Sequence, residues 1–324
     1  MDGSRALRGV AQPWGAQVMA TGIISVGLRL AGALWAARGL MLVTAALWLV
    51  LAMTFAGLLL DGTRREALSA PAALTSVAGT GVLGNGIALS GHSAVAVVPL
   101  ALTTVLWLLL LPRVLRRLSR RLPGSAYLVT VATQSVAVLA ATLATPLSAP
   151  WLAWPAGILL GAGLMLYVLV LTRFDFDQIH RGAGDHWVVA GSLSISALAC
   201  AKVTYAADRP EPLEWLTLAI LAAALAWYCV LVAFEVLRPR PRYDHRRWST
   251  VFPLGMTAVS AMTAATVCAV PWLTAVGEAL LCPAVLVWLI VACGTVRQAF
   301  RSDGTDGRLC AEAPAADIPR QGPP

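Results

Sequence analysis

Residues 247–267 read RWSTVFPLGMTAVSAMTAATV, a stretch that is long and apolar enough to cross a lipid bilayer as a helix. Ten of the eighteen residues from Thr250 to Val267 are nevertheless Gly, Ala, Ser or Thr. The one large ring among these eighteen, Phe252, is followed at once by Pro253. Small and hydroxylated residues are typical of membrane helices that pack closely against other helices or border a wet cavity. The stretch therefore predicts an inner helix of a membrane bundle.

The composition of the whole chain agrees with a membrane protein. Of its 324 residues, 58% are hydrophobic and 12% are charged, whereas about 25% of the residues of a soluble domain are charged. The net charge of +8 comes almost entirely from arginine, which suits anionic lipid headgroups, and we expect no nucleic acid partner. The six cysteines lack the spacing of a zinc site or a disulfide framework, so we expect neither a metal nor a cofactor.

Ten apolar runs are long enough to span a bilayer, and in lipid such runs must be helical because every backbone polar group needs an internal partner. The predicted runs are 14–30, 34–60, 71–89, 94–111, 127–145, 150–171, 187–206, 213–237, 249–270 and 272–296. The predicted fold is therefore an all-α integral membrane protein. Its predicted parts are a cytoplasmic N-terminus at 1–12, a transmembrane domain at 13–300 and a disordered cytoplasmic tail at 301–324.

Basic residues orient these runs, because cytoplasmic loops are enriched in Lys and Arg. With a cytoplasmic N-terminus, twenty of the twenty-four bases lie on the cytoplasmic side. The remaining four are Arg29, Arg38, Lys202 and Arg209. We therefore expect a multi-pass plasma membrane protein with both termini in the cytoplasm.

Odd and even runs differ in composition. The five odd runs contain twenty Ser and Thr residues and the five even runs contain seven, whereas nine of the twelve tryptophans belong to even runs or their edges. Trp and Leu suit lipid and its interfaces, and small polar residues suit the interior of a bundle. This alternation predicts five helical hairpins, with odd helices lining a central pore and even helices forming an outer ring. The alternative is that the small residues only allow tight packing, without a pore.

Candidate functional residues follow from this arrangement. The odd runs contain no Asp or Glu, which argues against a cation pore, because carboxylate rings favour cations. Lys202, near the outer end of run seven, either draws anions to the mouth or extends to the membrane interface. The predicted pore-lining residues are Gly15, Gln17, Thr21, Gly22, Thr80, Asn85, Thr133, Gln134, Ser192, Ser196, Gly255, Thr257, Ser260 and Thr263.

The segments WSTVFPLGMTAVS in run nine and PWGAQVMATGIIS in run one resemble the tellurite-resistance/dicarboxylate transporter (TDT) family, which includes TehA and the slow anion channels of plant guard cells. The resemblance covers about residues 12–300. It implies a homotrimer with one pore in each protomer. It also implies that Phe252, beside Pro253, plugs the pore as a gate; the alternative is a ring that only packs at a proline kink. Runs three and five lack the internal prolines that are frequent in inner helices of the family.

The leading functional prediction is a passive channel or channel-like exporter for chloride- or nitrate-like anions or C4-dicarboxylates. A proton-coupled malate or succinate carrier, or a tellurite efflux carrier, is the alternative; such carriers usually need a titratable group inside the membrane. A non-transporting membrane protein is a more distant alternative, and the absence of catalytic motifs argues against an enzyme. The Asp- and His-containing connector at 173–187 is expected to be a solvated loop rather than a metal site.

Overall fold

The computed structural model describes residues 3–60, 68–181, 184–238 and 244–311. We number the ten long helices in these ranges α1 to α10. They are α1 Gly3–Leu30, α2 Leu34–Leu60, α3 Thr75–Leu89, α4 Ser93–Leu115, α5 Leu128–Ala144, α6 Ala153–Leu171, α7 Val188–Ala206, α8 Glu211–Leu237, α9 Trp248–Val267 and α10 Trp272–Ala311. A short helix, Asp177–Arg181, lies in the connection between α6 and α7. The all-helical fold class predicted from the sequence is confirmed within these ranges.

Nine of these helices, α2 to α10, are long and apolar enough to cross a membrane within the described ranges. The remaining predicted run, 14–30, lies in α1, which begins at Gly3 in the segment expected to be the N-terminal tail. At the other end of the chain, α10 continues to Ala311, past residue 300 where the sequence places the start of the tail. Residues 312–324 of that predicted tail lie outside the described part of the chain.

Burial alternates along the chain. In the most apolar window of α3, α5, α7 and α9 the buried share of residues is 78%, 94%, 94% and 89%. In α2, α4, α6, α8 and α10 it is 11%, 28%, 28%, 33% and 17%. In α1, residues 17–27 are all buried. The odd helices thus form the interior of the bundle, and the apolar even helices are largely uncovered.

The odd helices pack against one another in a closed order. α1 contacts α3, α3 contacts α5, α5 contacts α7, α7 contacts α9, and α9 contacts α1. Each odd helix also has extensive contact with the even helix that follows it. Glycine permits some of the closest approaches: a Cβ added to Gly81 of α3 would lie 2.9 Å from Cβ of Ser135 in α5. This packing brings one face of each odd helix to the centre of the bundle.

Candidate functional site

A small central cavity lies between the odd helices, and all five contribute to its wall. The volume open to the centre of a water molecule is about 10 Å³, roughly what a single water needs. Its lining residues are Ile23 and Val26 of α1, Gly81, Val82 and Asn85 of α3, Ser135 and Val138 of α5, Ile195 and Leu198 of α7, and Met256 of α9. The centre of the bundle is therefore constricted in this structure.

The cavity wall is mostly apolar, with two polar side chains. The Ser135 hydroxyl donates to the carbonyl of Val131 at 2.8 Å. Asn85 Oδ1 accepts a hydrogen bond from the Thr142 hydroxyl at 3.0 Å. No acceptor for the Asn85 amide NH₂ is found among the described residues. Because an amide NH₂ can donate to an anion, Asn85 supplies a hydrogen-bond donor in a mostly apolar cavity.

Phe252 lies one helical turn before a residue of the cavity wall. Its side chain is 2% exposed and belongs to the main hydrophobic core. It precedes Met256 by one helical turn, so the two side chains share one face of α9, and Met256 borders the cavity. The ring thus lies toward the end of the bundle where α9 begins, one turn below the cavity.

Pro253 is seated against α7. It lies inside α9, where it cannot donate a backbone hydrogen bond to the preceding turn. A Cβ added to Gly191 of α7 would lie 2.8 Å from Pro253 Cγ. The absence of a side chain at position 191 therefore makes room for the proline ring.

Hydroxyls join α7 to α9 above this contact. Ser194 Oγ and Thr257 Oγ1 are 2.8 Å apart, and Thr257 Oγ1 also donates to the carbonyl of Pro253 at 2.8 Å. The Ser260 hydroxyl lies 2.6 Å from the Ser194 carbonyl oxygen. These hydroxyls hold two neighbouring helices together, and helix-to-helix hydrogen bonding of this kind is typical of membrane interiors.

A second polar contact joins α5 to α6 and α7. The Gln134 amide Nε2 donates to the Leu160 carbonyl at 3.2 Å and to Ser196 Oγ at 3.1 Å. The Ser196 hydroxyl in turn donates to the carbonyl of Ser192 at 2.8 Å. All three polar side chains are fully buried. They too serve contacts between helices.

Three predicted pore threonines accept hydrogen bonds from tryptophans of even helices. The indole Nε1 donates in each pair: Trp288 to Thr21 at 3.1 Å, Trp48 to Thr80 at 2.9 Å and Trp107 to Thr133 at 2.9 Å. These pairs join α10 to α1, α2 to α3 and α4 to α5. The three hydroxyls therefore face the even helices, and their oxygens satisfy indole donors that would otherwise be unpaired in an apolar layer.

The other predicted pore residues are buried but do not border the central cavity. Gln17 and Thr263 are 6% and 8% exposed. The three glycines sit at close contacts. An added Cβ would collide with Thr75 at Gly15 and with Val82 at Gly22, and it would be in tight contact with Ile23 and Ile24 at Gly255. Of all the pore-lining candidates, Asn85 is the one that borders the central cavity. For the others, a place on a conducting path stays a prediction.

Sequence reasoning missed most of the cavity wall. It selected polar residues and glycines, whereas Ile195, Leu198 and Met256 are apolar. Helical spacing offered a usable signal. Leu198 and Lys202 follow Ile195 by three and seven residues, so the three side chains lie on one face of α7. The charged residue could have identified that face.

Basic residues extend the cavity face toward the end of the bundle where the odd helices finish. Lys202 follows Leu198 by four residues, and Arg29 follows Val26 by three, so each continues a face that borders the cavity. Both side chains are partly buried. Helices α1, α3, α5, α7 and α9 contain no carboxylate. The fixed charge along these faces is therefore positive.

The connector between α6 and α7 is partly ordered by backbone and amide contacts. The Gly124 N–H donates to Gln178 Oε1 at 3.0 Å, and Leu122 forms a parallel bridge with Phe174. Within the part of the chain that the structure describes, no three His, Cys, Asp or Glu side chains come together as metal ligands.

Comparison with known proteins identifies the family. Two proteins of Mycobacterium tuberculosis are similar to this chain: the uncharacterized membrane protein MT1776 of strain CDC 1551 / Oshkosh and the uncharacterized membrane protein Rv1735c of strain ATCC 25618 / H37Rv. Each is 29% identical over 143 residues, which is 41% of this chain and 73% of that protein. The model of the voltage-dependent anion channel family matches residues 10–296. This match confirms the resemblance drawn from runs one and nine, and the chain belongs to the voltage-dependent anion channel family.

Proposed function

We propose that this chain is a passive anion channel or channel-like exporter of the plasma membrane, with a path along the axis between the odd helices. Ten helices cross the membrane as five hairpins, and both termini are cytoplasmic. The observation that carries the proposal is a cavity that touches all five odd helices, none of which contains a carboxylate. A single axis shared by five helices is the arrangement expected of a path through the protein rather than a pocket on its side.

We propose that the small central cavity belongs to a closed state of this path. Room for about one water in the central cavity is too little for a chloride ion with any of its hydration shell. Phe252 closes the path below this level, on the proposed cytoplasmic side. Pro253 interrupts the hydrogen bonding of the turn that carries the ring. The ring can therefore move without breaking a complete helical ladder, and we propose this movement as the gate.

Selectivity for anions is distributed along the path. A carboxylate-free axis removes the groups that would attract cations. Lys202 and Arg29 raise the positive potential at the outer end, and a basic mouth concentrates anions. The Asn85 amide offers a hydrogen-bond donor in the central cavity. A weak donor and a long-range positive potential favour small monovalent anions such as chloride or nitrate. We propose that C4-dicarboxylates also pass once the gate is open.

The uncovered even helices suit lipid and further copies of the chain. In α2 and α10 only 11% and 17% of the most apolar window is buried within the protomer. Trp35, Trp154 and Trp215 are 83%, 79% and 66% exposed, near the ends of even helices where tryptophan meets the membrane interface. We propose a homotrimer in which some of this apolar surface is shared between protomers and the rest faces lipid.

Flux into liposomes decides between a channel and a proton-coupled carrier. Purified protein is reconstituted, the membrane voltage is clamped with potassium and valinomycin, and uptake of chloride, nitrate and succinate is followed with and without a pH gradient. A channel moves each permeant anion down its electrochemical gradient, and the pH gradient does not drive accumulation. Uphill succinate uptake that follows the pH gradient would reject the channel hypothesis in favour of the proton-coupled carrier. No flux of any anion would reject both hypotheses.

A further inference from the structure

A second, larger cavity lies at the end of the bundle where α1 finishes. It is bordered by the last turns of α1 and α3 and the first turns of α2, and it is open on one side. The volume open to the centre of a water molecule is about 310 Å³, which reaches the range of small-molecule sites, roughly 300–1,000 Å³. Its polar side chains are Ser25, Arg29, Arg38 and Ser90. The cavity is therefore large enough for a solute and is lined by two cations.

The two guanidinium groups have no anionic partner in the described part of the chain. Neither Arg29 nor Arg38 forms an ion pair or a side-chain hydrogen bond there, and no Asp or Glu lines the cavity. Arg38 stacks on the ring of Trp35, with 5.3 Å between its Cζ and the ring centroid. Arg29 is partly buried. Two like charges on one partly desolvated cavity repel each other, and an anion between them would relieve that repulsion.

The hydroxyls of the cavity do not compete with the arginines as donors. The Ser25 hydroxyl donates to the Ala37 carbonyl at 2.7 Å, and the Ser90 hydroxyl donates to the Gly86 carbonyl at 2.8 Å. The donors left free are therefore the N–H groups of the guanidinium forks. Ala37 also lies in the first turn of α2, where the positive end of a 27-residue helix adds to the field.

We infer that this cavity binds an oxyanion that presents two oxygens to the arginines, a carboxylate or a phosphate group. Guanidinium forks match such groups with paired N–H···O bonds, and a spherical halide cannot use that geometry. Val26 lines both this cavity and the central one, so the site adjoins the proposed path at its outer end. Leu42 of the cavity wall is 74% exposed, and Trp35, on which Arg38 stacks, is 83% exposed. The cavity is therefore open to the surface, and the oxyanion comes from a soluble solute or from a lipid headgroup.

Titration calorimetry of the purified protein in neutral detergent tests this inference with three probes. Succinate and inorganic phosphate represent soluble oxyanions, and a short-chain phosphatidylglycerol below its micelle concentration represents a lipid headgroup. We expect at least one probe to bind with a stoichiometry of one per protomer. Binding of succinate or phosphate assigns a solute; binding of phosphatidylglycerol alone, with none of short-chain phosphatidylcholine, assigns a lipid.

Substitutions locate the binding. Arg29→Gln and Arg38→Gln each remove one fork, and we expect the bound probe to weaken about tenfold or more in either variant. Arg38→Lys keeps the charge and loses the fork, so its effect should be intermediate. Arg209→Gln is the matched control, because Arg209 also stacks on an aromatic ring, that of Tyr205, and does not line the cavity. Unliganded melting temperatures identify any Gln variant that fails to fold, and Arg29→Lys or Arg38→Lys then provides the comparison at that position.

Three results would overturn the inference: no binding of any probe, equal binding in wild type and both Gln variants, or an equal loss in Arg209→Gln. The last would mean that the general positive field holds the anion. The measurement is of binding alone. A protein that binds a probe here but conducts no anion would refute the proposed channel and leave this site standing.

Discussion

The ring of Pro253 fills the space that a side chain at position 191 would need, since a Cβ on Gly191 would lie 2.8 Å from Pro253 Cγ. The contact joins α7, which forms part of the cavity wall, to the turn of α9 that holds Phe252. Any change at position 191 is therefore transmitted to the proposed gate through a stiff ring rather than a flexible side chain.

Gly191→Ala should push this turn of α9 away from α7. Overpacking of a tight interior costs about 1–3 kcal/mol, and the displaced ring should raise basal anion flux. Gly161→Ala is the matched control, because Gly161 lies in α6 with no atom within 4 Å of an added Cβ, and a helical Gly→Ala change there should be neutral or stabilising by about 0.5–1 kcal/mol. Melting temperature and liposome flux are measured together. An equal response in both variants would contradict a specific role for the Gly191 contact.

Phe252→Ala should increase anion flux, because it removes the ring that closes the proposed path. The ring is fully packed, so the same change should lower stability by about 3–5 kcal/mol. Leu143→Ala controls for that loss: Leu143 is 0% exposed, lies in α5 and does not border the central cavity. Unitary conductance and flux are compared at temperatures where both variants are folded. If Leu143→Ala opens the path as much as Phe252→Ala, the effect is loosened packing and the gate assignment fails.

Asn85→Asp should strongly reduce anion flux at neutral pH, because it places a negative charge in the central cavity on the proposed path. Lowering the pH should restore flux once the new carboxyl is protonated and the charge is removed. Asn85→Leu separates the two effects, since it removes the amide donor without adding charge and should reduce flux at every pH. The readout is flux against pH with the voltage clamped. A pH-independent flux in Asn85→Asp that matches wild type would exclude residue 85 from the path.

Glu235→Gln should lower stability and leave transport intact. Glu235 Oε1 lies 2.6 Å from Arg247 Nη1, and the side chains are 24% and 16% exposed. A pair of this intermediate burial is worth on the order of 1 kcal/mol or more. Glu278, exposed on α10, is the control, and Glu278→Gln should change neither property. Loss of flux together with its pH dependence in either variant would favour the proton-coupled carrier.

Lys202→Ala should slow anion flux modestly and leave anion selectivity in place. The remaining selectivity should come from the carboxylate-free odd helices, Arg29 and the basic loops that we propose are cytoplasmic. The loss of rate should be larger at low salt than at high salt, because a charge at a mouth acts through a screened field. Reversal potentials in a chloride gradient measure selectivity. A cation-permeable Lys202→Ala variant would show that this one lysine is the filter.

The structure separates two uses of the small polar residues that sequence composition cannot separate. Thr21, Thr80 and Thr133 were expected to line a pore, yet each hydroxyl accepts an indole N–H from an even helix. Ser194 and Thr257 join two odd helices. Tight packing, the alternative interpretation of the sequence, is therefore present together with a central cavity, and both depend on the same class of residue.

The sequence by itself determined the membrane class, the helical fold, the contrast between odd and even helices and the family resemblance carried by Trp248 to Gly255. These features follow from the lipid environment. Spanning segments must be helices long enough to cross the bilayer, Leu and Trp are favourable on outer helices, and small residues allow inner helices to pack closely. Such constraints act on composition, so they can be read along the chain.

Only the tertiary structure decided which face of each inner helix meets the axis. A helix with one buried side shows that side as an apolar stripe, but α5 and α7 are buried almost all round, at 94% of the window in each. With every face buried, no polar pattern distinguishes the one at the centre. Contacts with neighbouring helices decide which face is central. Thr133 faces Trp107 of α4, to which it is hydrogen bonded, and Gly191 faces Pro253 of α9. The side chains that border the central cavity include Ile195, Leu198 and Asn85.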